Sequence, residues 1–490
     1  MNWKSNVQIT TQKKTNNMSI RQIIRTMIKP LPRGGVWVAL MLLSSCGLYN
    51  KYERPDNVNT TGLIRDVVVD NDTLPINTDP NFGQLPWREV FTDPQLQQLI
   101  ETALDNNIDL RNAALNVKMM EDMLKVAKLA FLPSVAFTPS GTLSHLYVDG
   151  GSTSKTYQLP VSASWTIDLF GNILSQKRSA QMKLLMTKDY QVVVQTNIIC
   201  GIANLYYTLM MMDEQIDIIT DMESLTKETW DMMKLQKDLG FARSTSVQSA
   251  EANYYSVQAQ KLDLQRQVRE IENAMSLLLN EPGHQVSRGK FYNQSLPEKF
   301  SAGVGIQLLS NRADVHAAEM TLAQCFYDVE TARSRFYPNV NITGTAMFTN
   351  SAGVVMNPGK WLLSAIGSLT QPIFQHGQIV AGLRVAEAQQ EQAFNTWQNT
   401  ILKAGNEVSN ALLLYNSSAE KSLLEARQVE VLTQNVEDTR QLYKSKGSSY
   451  LEVIQAQSSL LNARISKVAD DFSKMQAVVN LYQALGGGAK

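Results

Sequence analysis

Cys46 is the residue of this chain best placed for chemistry. It closes the run VWVALMLLSSC at 36–46, behind a head of 45 residues that carries seven Lys or Arg and no Asp or Glu. A basic head followed by a short apolar run is a secretory signal rather than part of a fold. The apolar run is about half the length that a membrane-spanning helix needs. Leu43-Ser44-Ser45-Cys46 is similar to the bacterial lipobox. The expected chemistry is therefore conversion of Cys46 to a diacylated, lipid-bearing cysteine and loss of residues 1–45. Gly47 follows the cysteine, where Asp would favour retention at the inner membrane, so the lipid is expected in the outer one. Met18 is the expected start, because it gives the signal a head of ordinary length.

The other reactive side chains do not gather into a catalytic set. His145, His284, His316 and His376 stand far apart, with no HExxH or CxxC. Gly486-Gly487-Gly488 follows a helical pattern, the reverse of a phosphate-binding loop, and neither GxxxxGK[ST] nor a Gly-x-Ser-x-Gly elbow occurs. Cys200 and Cys325 sit inside helical patterns, where a cysteine is a packing residue. No catalytic residue, metal site or cofactor is expected, and the chain is read as a non-enzyme. Without the signal, 38 basic residues face 45 acidic ones, a net charge near −7 with no basic stripe, so nucleic acid is not an expected partner. With 490 residues and 44% apolar content, the chain can bury a large core.

The elements that must hold any site are stated twice. VAKLAFLPSVAFT at 126–138 matches TARSRFYPNVNIT at 331–343, with Phe131 and Phe336 offset by 205. IDLFGNI at 167–173 matches PIFQHGQI at 372–379, and GFARSTSVQSA at 240–250 matches GSSYLEVIQA at 447–456. Landmarks kept in order predict a duplication with a period of about 200 residues, too long for a solenoid repeat. Each half reads as helix, two strands, very long helix, turn, long helix. The predicted segments are 1–45 signal, 46–93 extended lipidated segment, 94–283 first repeat, 284–307 linker in the equatorial region, and 308–490 second repeat.

Apolar columns at seven-residue spacing define the long helices. One runs Ile198, Leu205, Met212, Ile219, Thr226, Met233; its return partner runs Ala250, Val257, Leu264, Ile271, Leu278, with Lys261 the polar break nearby. Ile401, Val408, Tyr415, Val429 and Val436 repeat the pattern, broken at Ser422, and Ile454, Leu461, Val468, Met475 and Tyr482 return it. Such columns are coiled-coil seams. A helix over 173–239 is on the order of 100 Å long, a rod for a stalk or tube. No run of 18 apolar residues follows the signal, so a membrane crossing requires a barrel.

The strands have another rhythm. In LPVSASWTIDL at 159–169, Leu159, Val161, Ala163, Trp165 and Ile167 alternate with Ser162, Ser164, Thr166 and Asp168. VNITGTAMF at 340–348 and WLLSAIGSLT at 361–370 alternate likewise, and SVAFTPSGTL at 134–143 does so more weakly. Each is about 10 residues, the length of a tilted transmembrane strand. Segments 147–156 and 349–359 read as turn-rich loops. Four strands are too few to close a membrane barrel, so closure needs several chains. Both hairpins turn at a glycine, Gly240 in KDLGFARSTSV and Gly447 in YKSKGSSYLEV.

Several long stretches together are similar to the TolC-like outer-membrane efflux factors, and within them to the lipoprotein (NodT-type) branch that includes OprM. They are CGLYNKYERP (46–55), LPWREVFTDPQLQQLIETALDNNIDLRNA (85–113), LLSNRADVHAAEMTLA (308–323, with Ala313 in place of the usual Pro) and NLYQALGGG (480–488, followed by Ala489 in place of Trp). The resemblance implies an α+β membrane protein. It would be a homotrimer whose chains each give four strands to a 12-stranded outer-membrane barrel, continuous with a long helical coiled-coil barrel. It further implies that the tips at Gly240 and Gly447 dock a periplasmic adaptor, serving an inner-membrane pump of the resistance–nodulation–division type. Matching the family's gate positions are Thr245, Ser246, Tyr443, Leu451, Glu452, Gln455 and Ser458. Here the family's acid is Ser246 and an Asp–Arg pair is Gln455 and Ser458, so this gate is expected to lean on hydrogen bonds and apolar contact more than on charge. The implied function is a passive exit duct of a tripartite efflux system. Alternative readings are the exit duct of a type I protein secretion system and a lipid-anchored coiled-coil stalk.

Overall fold

Columns of apolar residues at coiled-coil spacing leave the chain no short-helix solution, and it folds into helices of unusual length. The structure, a computed structural model, describes residues 50–55, 82–147, 150–294, 296, 312–350, 359–445 and 449–488. Tyr52–Lys490 forms one unit and residues 1–51 another, of which Asn50 and Lys51 are described. Cys46, Gly447, half of the expected linker and most of the expected second loop lie outside the described residues.

The elements run in two matched series. The first holds α1 (Pro94–Asn106), α2 (Ile108–Leu129), β1 (Ser134–Phe137), β2 (Ser140–Leu146), β3 (Ser152–Ile167), α3 (Asn172–Asp238) and α4 (Ser244–Leu279). The second holds α5 (Ala313–Ser334), β4 (Asn339–Thr349), β5 (Lys360–Thr370), α6 (Gln378–Lys444) and α7 (Tyr450–Ala484). α2 and α5 both have 22 residues, α3 and α6 both have 67, and α4 and α7 have 36 and 35. At 1.5 Å per residue, α3 and α6 are each about 100 Å long. Within the segment expected to be extended, Trp87–Val90 is a one-turn helix, and Phe82, Trp87, Val90 and Phe91 are buried.

All strands among the described residues form one antiparallel sheet. β1 and β2 pair with β3 in a single register, Ser134 opposite Ser164 and Ser140 opposite Gln158. They are one strand interrupted at Thr138 and Pro139, where proline cannot donate to the ladder. β3 also starts earlier than its alternation suggested, taking in part of the expected loop. β3 then pairs with β4, and β4 with β5, leaving four strand positions and two edges. Register puts Val135, Phe137, Leu159, Val161, Ala163, Trp165, Ile342, Ala346, Phe348, Trp361 and Leu363 on one face. Ser162, Ser164, Thr166, Asn341, Thr343, Thr345, Ser364 and Ser368 occupy the other. Leu362 and Ile366 remain exceptions on that polar face, with Pro160 and Met347 opposite Leu362.

The largest core lies where α1, α3, α4 and α7 meet, around Phe91, Ile100, Ile199, Ile202, Tyr206, Leu209, Met275 and Tyr482. α3 is apolar enough over one 18-residue window to cross a membrane by length and composition, and 44% of that window is buried inside the chain. The sequence count of unbroken apolar runs passed over it because polar residues interrupt the run without lowering its average much. Cys200 lies in this core, where burial pushes its thiol pKa up to about 12. The C-terminal glycines seal one end: Gly488 N donates to Tyr482 Oη at 2.9 Å, and Thr196 Oγ1 donates to the Gly487 carbonyl at 2.8 Å. A Cβ at Gly487 would stand 2.4 Å from the Tyr482 ring, so only glycine fits there. Arg312 is buried beside them, donating to the Ala484 carbonyl and pairing with Asp314 and Glu407. After α4, Val286 and Phe291 are buried and Arg288 joins Asp213 and Glu272.

Both polar breaks in the seams have partners. Lys261 on α4 meets Glu223 on α3 at 2.8 Å, and Ser422 on α6 donates to Asp471 on α7, which also accepts from Lys467 at 2.7 Å. A polar pair within an apolar seam fixes its register at some cost in stability.

Candidate functional site

The two hairpin tips hold every sequence-predicted gate residue that is described. At the first, α3 ends in a left-handed Gly240, φ 77°. Gly240 N donates to the Lys237 carbonyl at 2.9 Å and Phe241 N to the Gln236 carbonyl at 2.7 Å. These two bonds form a Schellman closure, which needs a residue without a Cβ at its centre. The chain re-enters a helix at Ser244. Thr245 is exposed, Ser246 half-buried, and the Thr245 carbonyl accepts from Ser249 Oγ at 3.0 Å.

At the second tip, α7 opens with a capping box. Glu452 N donates to Ser449 Oγ at 3.4 Å, while Ser449 N donates to Glu452 Oε2 at 3.3 Å. The Glu452 carboxylate therefore turns back onto its own helix start. Leu451, Gln455 and Ser458 are exposed along one stripe of α7, opposite the buried Val453, Ala456, Gln457 and Leu460. A spacing of four and then three residues puts them on one helix face.

Tyr443 behaves differently from the others. Its hydroxyl donates to Gln236 Oε1 on α3, and its ring meets Tyr450 edge-on at 6.4 Å. Burial raises its pKa above the usual phenol range, and burial with Tyr443 beside it does the same for Tyr450. Tyr443 and Tyr450 pack against Trp230, Met233, Val247, Ala250 and Tyr254, joining the two hairpins near their ends. Arg440 adds an ion pair to Glu228 at 3.1 Å, and Gln457 Nε2 donates to Thr229 Oγ1 at 3.1 Å. The Trp230 ring is stacked on Tyr254 at 5.5 Å, with the Lys234 ammonium 3.4 Å from its centroid. Glu228, Trp230, Gln236, Arg440 and Tyr450 were not picked out from the sequence. Trp230 has Lys234 and Tyr254 within 24 residues, but Tyr443 and Tyr450, which bring the second hairpin to it, lie more than 200 residues away. Around these ties, Leu235, Leu239, Phe241 and Leu451 stay 60–70% exposed, a set of apolar side chains at the ends of the rods.

The arrangement has no reacting centre among the described residues, where no group of three or more His, Cys, Asp or Glu is gathered as a metal-ligand set. His316 pairs with Asp189 at 2.7 Å in the α3–α5 seam, and that hydrogen bond raises its pKa above the ordinary imidazole value. What the geometry offers is a two-faced sheet at one end of long rods and a tied pair of tips at the other.

Comparison with known proteins places this architecture. A family model, Outer membrane efflux protein, matches the chain twice, over residues 99–281 and 305–487. The chain is 25% identical over 457 residues to the Cation efflux system protein CusC of Escherichia coli, covering 91% of this chain and 97% of that one. It is 28% identical over 410 residues to the Toluene efflux pump outer membrane protein TtgI of Pseudomonas putida, with 82% and 87% covered. Its fold is similar to the open state of the MtrE outer membrane channel of Neisseria gonorrhoeae, with a TM-score of 0.77 at 24% identity, covering 90% and 98% of the two chains. Two matches to one family, one in each of the two matched series of elements, account for most of the sequence: the chain belongs to the outer membrane efflux protein family.

Proposed function

We propose that three copies of this chain form a passive duct, a 12-stranded barrel in the outer membrane continued by a tube of paired helical hairpins. The sheet carries this reading. One face is apolar with aromatic residues toward both ends, the other is lined with hydroxyls, and among the described residues both edges lack a strand partner. Four strand positions per chain make twelve in a trimer, an even-numbered barrel with apolar residues outward. The tips, with Gly240 and Gly447, receive a periplasmic adaptor, and an inner-membrane pump of the resistance–nodulation–division type supplies the energy. Thr245, Ser246, Tyr443, Leu451, Glu452, Gln455 and Ser458 form the gate, and adaptor binding opens it only as far as the adaptor prefers the open tip. Relatives named for cations and for toluene support a duct whose cargo is chosen upstream.

Protein extracted from outer membranes is expected to run as a trimer on unheated gels, to collapse on boiling, and to conduct ions in planar bilayers. A monomer that never conducts would overturn the reading. Cys46 is the lipid anchor in this proposal, and mass spectrometry should find it diacylated at the mature N-terminus. An unmodified Cys46 there removes the anchor but not the duct.

A further inference from the structure

The hydroxyl-bearing face of the sheet is built of rows that cross β3, β4 and β5. Gln158, Thr349 and Lys360 form the row furthest from the long helices. Ser162, Thr345 and Ser364 form a row nearer to them. Between these two lie Pro160, Met347 and Leu362, an apolar row on an otherwise polar face. One row below Ser364 comes Ile366, opposite Thr343 and 63% exposed. Leu362 and Ile366 share a face of β5, about 13 Å apart along the strand. Lys360 stands on that face too, about 7 Å beyond Leu362. It is exposed and has no ion-pair partner among the described residues.

The apolar row does not serve the folding of the chain. Among the described residues, the buried apolar clusters all lie in the helices and the segments beside them, and none takes in a strand residue. A side chain that meets only water gains nothing from being Leu, Met or Ile, because exposing apolar area to water is unfavourable. The neighbouring rows follow that rule with Ser and Thr. The exception at Leu362, Met347 and Ile366 therefore calls for something apolar to cover it.

Resting on the trimeric duct read above, we propose that this row and Lys360 form a binding ring for amphiphilic organic anions near the outer mouth of the barrel. With the hydroxyl-bearing face inward, three copies repeat Pro160, Met347 and Leu362 around the lumen, and Ile366 continues the apolar strip below. The Lys360 ammonium groups crown it. A solute with an apolar body and a carboxylate or sulfonate head lays its body on Leu362 and Met347, while its head meets an ammonium about 7 Å above. The body gives up its water to side chains that are themselves poorly hydrated, and the head gains a charge-assisted bond. A cation of the same shape gets only the first contact, and a small anion only the second. The ring holds one class of cargo on its way out, firmly enough to take it up and weakly enough to release it.

Block of the ion current through full-length trimers in planar bilayers reads the ring. The probes are naphthalenesulfonate, methanesulfonate with the same head and no aromatic body, and naphthylmethylammonium with a like body and the opposite charge. Naphthalenesulfonate is expected to halve the current at a concentration about tenfold below that of either control. Leu362→Ser should weaken its block about tenfold, and Lys360→Gln about fivefold. Lys360→Gln should not weaken block by naphthylmethylammonium. Ser364→Leu, which joins Leu362 to Ile366, should tighten the block by naphthalenesulfonate. Unheated gels confirm that each variant assembles, and Met347→Thr repeats the apolar test if Leu362→Ser assembles poorly. Equal block by all three probes, or parent-like block in the Leu362→Ser or Met347→Thr trimers, overturns the ring while leaving the duct standing. Parent-like block in Lys360→Gln overturns its choice of anions. Unaltered trimers that never conduct overturn the duct and the ring together.

Discussion

Ala163→Arg is expected to abolish assembled trimer, while Ser164→Arg preserves it. The two positions are neighbours in β3 and face opposite ways. Ala163 stands mid-sheet between Val135 and Gly344, on the face that carries Val161, Trp165 and Leu363. Arginine there would meet hydrocarbon, at a cost of about 2–4 kcal/mol near the bilayer midplane, comparable with a sizeable part of a protein's whole stability. Ser164, between Ser134 and Thr343, faces the hydroxyl-lined side, where a charge meets water and changes conductance instead. Ile167 shares the apolar face but lies in the last row, beside Val340, next to the start of α3. Its arginine variant should therefore suffer less than that of Ala163, since the cost falls toward the interface. Unheated gels of membrane extracts decide the matter: equal trimer loss from Ala163→Arg and Ser164→Arg would contradict a lipid-facing side.

Tyr443→Ala is the change expected to loosen the tips most. It removes the hydroxyl bond to Gln236 and the ring contact with Tyr450 in one step. A hydrogen bond of this kind contributes about 0.5–1.5 kcal/mol and an aromatic pair a similar amount. Together they shift a closed–open equilibrium by roughly one to two powers of ten. Tyr443→Phe keeps the ring and should give a smaller shift. Leu451→Ala, on a side chain 70% exposed, opens space without leaving a cavity in any core. In planar bilayers all three variants should open more often than the parent at equal trimer yield. If both Tyr443→Ala and Leu451→Ala conduct like the parent, the tips are not where the tube is closed.

The long helices were legible because a column such as Ile198, Leu205, Met212 and Ile219 repeats a local rule many times over. The face of β3 was legible for the same reason, since strand alternation needs no knowledge of partners. The break between β1 and β2 was hidden, although Pro139 marked it: a proline in an alternating run says that pairing fails, not that the register continues beyond it. Lys261 and Ser422 were visible as polar breaks, but their partners Glu223 and Asp471 were not assigned. The Tyr443–Gln236 bond joins residues 207 apart, and no spacing rule reaches that far. The Ser449–Glu452 box is a missed local signal. Ser-x-x-Glu at a helix start announces that the carboxylate is engaged at home, which weakens any role for it as a free charge in a ring.

The equality of α3 and α6, 67 residues each, acts as a ruler shared by two rods that start at one sheet and must finish level. Deleting seven residues from α3 with a matching cut in α4 would withdraw the first tip by about 10 Å, carrying Gln236 and Glu228 away from Tyr443 and Arg440. The same cut made in both hairpins would leave those ties in place and merely shorten the tube. Heptad spacing adds that cuts of seven keep the seams in phase where cuts of four or three do not. Length in this chain is thus a property of neither repeat alone, and an insertion or deletion tolerated in one hairpin has to be answered in the other.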